Sequence, residues 1–179
     1  MLGTDEGEVG FRQVERVELP FLGDERTMLE GGIDFHRATV HLKCAGLSEE
    51  DAWRAPLPRS PLMTPGGVVS HLIMVEWFWV EYVMAGVDAE WPWPDGDPNI
   101  EFRRKDGESM ESLLARYAAQ CETSRELMRG VSPDSLTARQ RTGSDVAVRH
   151  VYVQLIQETA RHNGHLDAMR EILDGVVGE

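Results

Sequence analysis

Apolar residues recur along this chain at steps of three and four, and the pattern resolves into four long helices. The first stripe runs Leu29, Ile33, His36, Val40, Cys44 and Leu47, with Gly46 placed to end the helix. From Gly67 to Ala85 apolar residues surround the axis, so the second helix is predicted to be central and packed on most sides. Helical spacing resumes from Ser109 to Gly130 through Leu113, Tyr117, Cys121 and Met128. The last and longest helix is predicted from about Asp145 to Leu173. No stretch alternates with the period of a strand and no repeat is visible, which predicts an all-α fold, an antiparallel four-helix bundle.

The segments between helices are irregular by composition. Residues 1–23 are polar around an isolated apolar run at Leu19 to Leu22 and read as an N-terminal arm, leaving 24–175 as the bundle domain. SEED at Ser48 to Asp51 reads as a capped short turn, and APLPRSPLMTPGG is a proline-rich connection. VDAEWPWPDGDPNIEFRRKDGE forms a long loop between helices two and three, with Trp91 and Trp93 as the wall or lid of an entrance. Ser132 followed by Pro133 suits a helix cap and first-turn proline.

Charge and composition narrow the partners. Eighteen basic against 31 acidic residues give a net charge of −13, and the one basic run, Arg103 to Lys105, is flanked by Glu101 and Asp106. Phosphate backbones need clustered cations, so nucleic acid is not expected as a partner. No apolar run is long enough for a membrane span, and the acidic N-terminus does not resemble a secretory signal. Cys44 and Cys121 lack CxxC spacing, which fits a reducing, cytoplasmic setting rather than a disulfide framework. The apolar second helix offers a face for a homodimer, and the expected ligand is a small molecule.

The chemistry concentrates in the last helix. Its inward stripe reads Val151, Leu155, Glu158, His162, His165, Met169 and Ile172, so three consecutive stripe positions are ionisable. An uncompensated carboxylate inside a bundle costs several kcal/mol, and a metal cation is one way to compensate it. Helix two places His71 on a face with Val68, Val75, Phe78 and Tyr82. Two imidazoles and a carboxylate, His71, Glu158 and His162, make a zinc set that also suits ferrous iron or nickel. Taken alone, the spacing is more often bland, with Glu158 paired to Arg161 or Arg170 and His71 a hydrogen-bonded core residue. By the same reasoning His36 makes a polar core contact or approaches the centre, His41 and His150 are solvated, Glu76 and Glu81 lie at the bundle edge, and Cys121 is a small core hydrophobe.

The segments GGVVSHLIMVEWFW and GSDVAVRHVYVQLIQETARHNGHLDAMREILDG, with IDFHRATVHLKCAGLSEED and PLPRSPL, resemble the DinB-like superfamily of four-helix metalloenzymes, particularly its actinobacterial branch. That resemblance implies a divalent metal between helices two and four, held by His71, Glu158 and His162. The usual third histidine is a glutamate here, as in the mycothiol-dependent maleylpyruvate isomerases to which the branch is similar. His165 is then a supporting residue or optional fourth ligand, and His36 a further optional one. The resemblance further implies activation of a low-molecular-weight thiol such as mycothiol. Metal-dependent hydrolysis and a non-catalytic, metal-binding stress protein are the alternatives left open.

Overall fold

A computed structural model describes residues 14–88, 97 and 99–178. Among them the chain is all-helical: α1 spans Glu25–Cys44, α2 Glu49–Ala52, α3 Pro65–Glu76, α4 Met110–Met128 and α5 Val148–Asp174. A single 3₁₀ turn, Ile100–Phe102, precedes α4, and the only β features among the described residues are isolated bridges, Leu136 to Ala147 and Arg141 to Ser144. Local sequence sets most helix starts. Asp24, Ser48 and Thr64 each accept a backbone N–H three residues on, and Ser109 and Ser112 cap each other reciprocally. Gly175, in the left-handed conformation at φ 78°, closes α5.

Two starts and one winding differ from the sequence reading. Ser132 and Pro133 do not open a helix: Ser135 N–H donates to the Ser132 carbonyl at 3.0 Å in a turn, and α5 begins after Ala147 with no side-chain cap. The single helix expected over 67–85 changes pitch within its length. After Glu76 it continues as a wider π-type winding over Trp77–Met84, and Ala85 N–H donates to the Val80 carbonyl, five residues back, at 2.8 Å. Apolar periodicity is insensitive to that change because nearly every residue there is hydrophobic.

Packing builds two apolar clusters. One gathers Val40, Cys44, Val68, Val69, Leu72, Leu113, Tyr117, Leu166 and Met169; the other Ile33, Val75, Val80, Met84, Met128, Val151, Tyr152 and Leu155. Each long helix carries buried polar residues near where it passes from one cluster to the other, Arg37 and Thr39 on α1, Glu76 on α3, Ser124 on α4, and Thr159, His162 and Asn163 on α5, while Ser70 and Arg170 are buried beside residues of the first cluster. A polar belt therefore crosses the core. α1 and α5 meet the second cluster before the first along the chain, whereas α3 and α4 meet them in the reverse order. The long connection from Met84 to Met110 thus returns from one cluster to the other, which accounts for its length.

The belt contains a charge pair that sequence placed wrongly. Glu76, expected at the bundle edge, is 1% exposed and receives two hydrogen bonds from Arg37, Nε to Oε1 at 2.8 Å and Nη2 to Oε2 at 2.7 Å. Read singly, each charge favours the surface; together they satisfy one another bidentately and can be buried. Burial opposes the Arg37 charge, but the Glu76 carboxylate overrides it and holds the guanidinium well above its usual pKa. Cys121 Sγ lies 4.0 Å from Glu76 Oε1, and burial, with Glu76 adding, pushes its thiol up to about 12. Glu81 is half-buried and accepts from Gln120 at 2.7 Å.

Three smaller expectations change. Ile172, placed on the inward stripe, is 58% exposed, while Thr159, Asn163 and Arg170 are buried instead. His41 is half-buried, its ring 5.6 Å from that of Tyr117, whereas His150 is exposed as expected. The described part of the arm lies along α1. A Cβ on Gly31 would come within 2.7 Å of Pro20, so a glycine mid-helix allows the contact despite its lower helix propensity.

Candidate metal centre

α3 and α5 bring His71, Glu158 and His162 together on one side of the polar belt. One donor atom from each lies within 4.8 Å of the other two, and among the described residues these three form the group able to hold a metal ion. His71 Nε2 is 3.9 Å and His162 Nε2 3.7 Å from Glu158 Oε2. Ligands bonded tetrahedrally at about 2.1 Å stand about 3.4 Å apart, so small side-chain adjustments would close the set on an ion. Glu158 and His162 share a face because they are four apart on α5; His71 arrives from α3, with its ring centroid 4.7 Å from that of His162. The bland alternative for Glu158 is not what is found: Arg170 pairs with Asp174 and donates to the Lys43 and Ala45 carbonyls.

The far side of each imidazole is occupied. His71 Nδ1 is 2.9 Å from Glu101 Oε1, and its ring stacks on Phe102 at 4.7 Å, so the 3₁₀ turn supplies both an acceptor and a flat support. A proton on Nδ1 donated to Glu101 leaves the Nε2 lone pair turned toward Glu158, the tautomer that a metal ligand requires. His165 Nδ1 lies 3.3 Å from His162 Nδ1, which leaves His162 Nε2 on the Glu158 side. Burial, then the proximity of His71 and His165, drives the His162 pKa down to about 3, so this imidazole is neutral at pH 7. The donor set, two imidazole nitrogens beside a carboxylate, fits a borderline divalent ion.

Not every anticipated residue arrives. His165 stands behind His162 rather than within the trio. His36 is outside it: its ring packs on Phe35 at 5.4 Å and its carbonyl accepts from Asn163 at 3.0 Å. Trp91 and Trp93, the anticipated wall, lie outside the described residues. Glu101 was read only as a counter-charge to the adjacent basic run, and no spacing in the sequence links it to His71.

A family model for mycothiol-S-transferase, abbreviated MST, matches residues 28–175. The chain belongs to the mycothiol-S-transferase family. With that family comes the DinB-like superfamily and a relation to mycothiol-dependent enzymes. No curated protein and no solved structure matches.

In this mycothiol-S-transferase family member two of the trio, His71 and Glu158, line a pocket of about 390 Å³ with Met74, Val75, Phe78, Trp79, Glu101, Arg141 and Gln154, and His162 is buried behind them. The wall is apolar and aromatic, with a few polar groups converging from α5, the 3₁₀ turn and the connection before α5. Such a lining suits a small molecule that presents one reactive end to the trio. The π-type winding provides Phe78 and Trp79, and the α-helical part before it provides His71. Among the described residues no helix is long and apolar enough to cross a membrane.

Proposed function

We propose that the chain is a divalent-metal-dependent transferase that activates a low-molecular-weight thiol such as mycothiol for attack on a small electrophile, with His71, Glu158 and His162 as ligands of a zinc ion. The observation that carries this reading is the trio itself: three donors converge, two of them on the wall of a pocket, and both imidazoles are held from behind. The family membership supplies the thiol. The scaffold we propose is a four-helix bundle over residues 24–175, with α1 and α5 running one way and α3 and α4 the other.

A divalent ion bound by two neutral imidazoles and one carboxylate retains net positive charge and lowers the pKa of a bound thiol. The chain's own residues do the rest. His71 and His162 present Nε2 lone pairs, Glu101 and His165 fix their orientation, and Glu158 limits the site's net charge. Phe78, Trp79, Met74 and Val75 give the reacting sulfur an apolar wall against which the electrophile can be held. In the overall transfer a sulfur lone pair forms the new C–S bond, the leaving group departs with the electrons of its bond to carbon, and the thiol proton leaves with it or passes to solvent.

The test is turnover of a generic electrophile by zinc-loaded protein with and without mycothiol. Product formation that requires the thiol, and falls by at least about a hundredfold in His162→Ala, supports the proposal. Thiol-independent cleavage of an ester or amide would replace it with hydrolysis, and metal binding without either activity would leave a binding protein.

A further inference from the structure

We infer that Arg141 is the anion anchor of the pocket beside the trio, and that the electrophilic substrate of this protein carries a carboxylate. The inference deepens the thiol-transfer reading and depends on it for the word substrate; the anchor itself does not need the metal.

Arg141 lines the same pocket as His71 and Glu158, and its guanidinium sits over the Phe78 ring at 4.8 Å and the Trp79 ring at 5.8 Å. Stacking on aromatic faces holds the planar group while leaving its in-plane N–H donors for a ligand. In a chain with a net charge of −13, arginines find carboxylates easily. Arg139, two residues earlier, packs over Tyr82 at 4.2 Å and also pairs with Asp88 at 2.7 Å. Arg141 makes no ion pair among the described residues. It is therefore exposed and held by rings on the wall of a pocket.

The backbone fixes it there. Arg141 and Ser144 exchange hydrogen bonds, N–H to carbonyl at 3.0 and 2.9 Å, across a two-residue turn in which Thr142 has φ 48° and Gly143 φ 79°. Glycine adopts such a conformation freely, but a β-branched threonine there is strained. That strain is retained in a turn whose first residue presents the guanidinium to the pocket.

Shape selects the anion: the guanidinium stacked on Phe78 and Trp79 offers its in-plane fork of N–H donors to the pocket. A carboxylate matches that fork. With the thiol sulfur at the trio and the carboxylate on Arg141, the electrophilic carbon is placed between them.

The experiment uses benzoate and its neutral isostere benzamide, titrated against the full chain and followed by calorimetry or ligand NMR. Wild-type protein is expected to prefer benzoate by about tenfold or more, the least that a charge-assisted pair supplies. Arg141→Gln loses that preference, Arg141→Lys keeps part of it, and all three proteins keep the same helical circular dichroism and zinc content. His162→Ala, measured in parallel, keeps the benzoate preference while losing zinc, which separates the anchor from the metal reading. Equal binding of the two probes to wild type, no binding of benzoate, or a preference that survives in Arg141→Gln would each overturn the inference. A preference lost in His162→Ala and kept in Arg141→Gln would assign the anion to the metal instead.

Discussion

His71 Nδ1 and Glu101 Oε1 stand 2.9 Å apart although 30 residues separate them in the chain, and the contact fixes which nitrogen of His71 faces Glu158. Removing the acceptor leaves the ring free to turn and to change tautomer. Glu101→Ala is expected to weaken zinc binding by about 10- to 100-fold with the fold intact, and Glu101→Gln, which still accepts a hydrogen bond, by less. Competition against a chelator of known affinity measures both.

The proposed ligands separate from their supports by metal content. Wild-type protein purified without chelator is expected to carry about one zinc per chain, and His71→Ala, Glu158→Ala and His162→Ala to lose most of it. His165→Ala and His36→Ala are expected to retain it, since His165 stands behind His162 and His36 packs on Phe35. Elemental analysis decides; equal zinc in wild type and His162→Ala would remove the site.

The buried Arg37 and Glu76 pair is expected to respond asymmetrically to mutation. Arg37→Met leaves the carboxylate buried beside Cys121 without its partner and should cost about 3–5 kcal/mol in urea unfolding. The double replacement Arg37→Met with Glu76→Leu should recover much of that loss, because no charge is then left unpaired. Additive losses would show that the two residues act independently.

Alkaline pH is expected to loosen the fold through its cysteines. Burial raises Cys44 from 9.0 to about 12, and burial with Glu76 raises Cys121 to about 12 from the same starting value. Above pH 9 the unfolded chain therefore releases thiol protons that the folded chain keeps. Stability is complete below that point and falls as pH rises toward 12, by ~1.4 kcal/mol per pH unit for each thiol. Cys44→Ala should reduce the slope of unfolding free energy against pH by one such increment, and iodoacetamide should label neither thiol until the protein unfolds.

Much of the architecture was legible because helical periodicity and capping are local. Leu29, Ile33, Val40 and Cys44 fixed the face of α1, and Gly46 and Ser48 mark a helix end and a helix start by chemistry that involves only near neighbours. Glu158 and His162 were legible for the same reason, being four apart on one face. His71 was legible only as a candidate third donor on the apolar helix, and the resemblance, not the spacing, favoured the set His71, Glu158 and His162 over its bland readings. Glu101 and the Arg37–Glu76 pair were illegible: each depends on two polar side chains meeting across 30 or more residues, and each alone points to solvent. The winding over Trp77–Met84 escaped because a uniformly apolar segment has no pattern to register a change of pitch.

That winding separates two kinds of variation. His71 and Glu76 precede it, so the residues that face Glu158 and Arg37 are set before the pitch changes; Tyr82 and Met84 follow within it. Deleting one residue between 77 and 84 would turn what lies downstream about the helix axis and draw it back along that axis, with the upstream donors unmoved. Chain length in this one segment, as well as side-chain identity, is thus a variable that would reshape the pocket wall while leaving His71 and Glu76 in place.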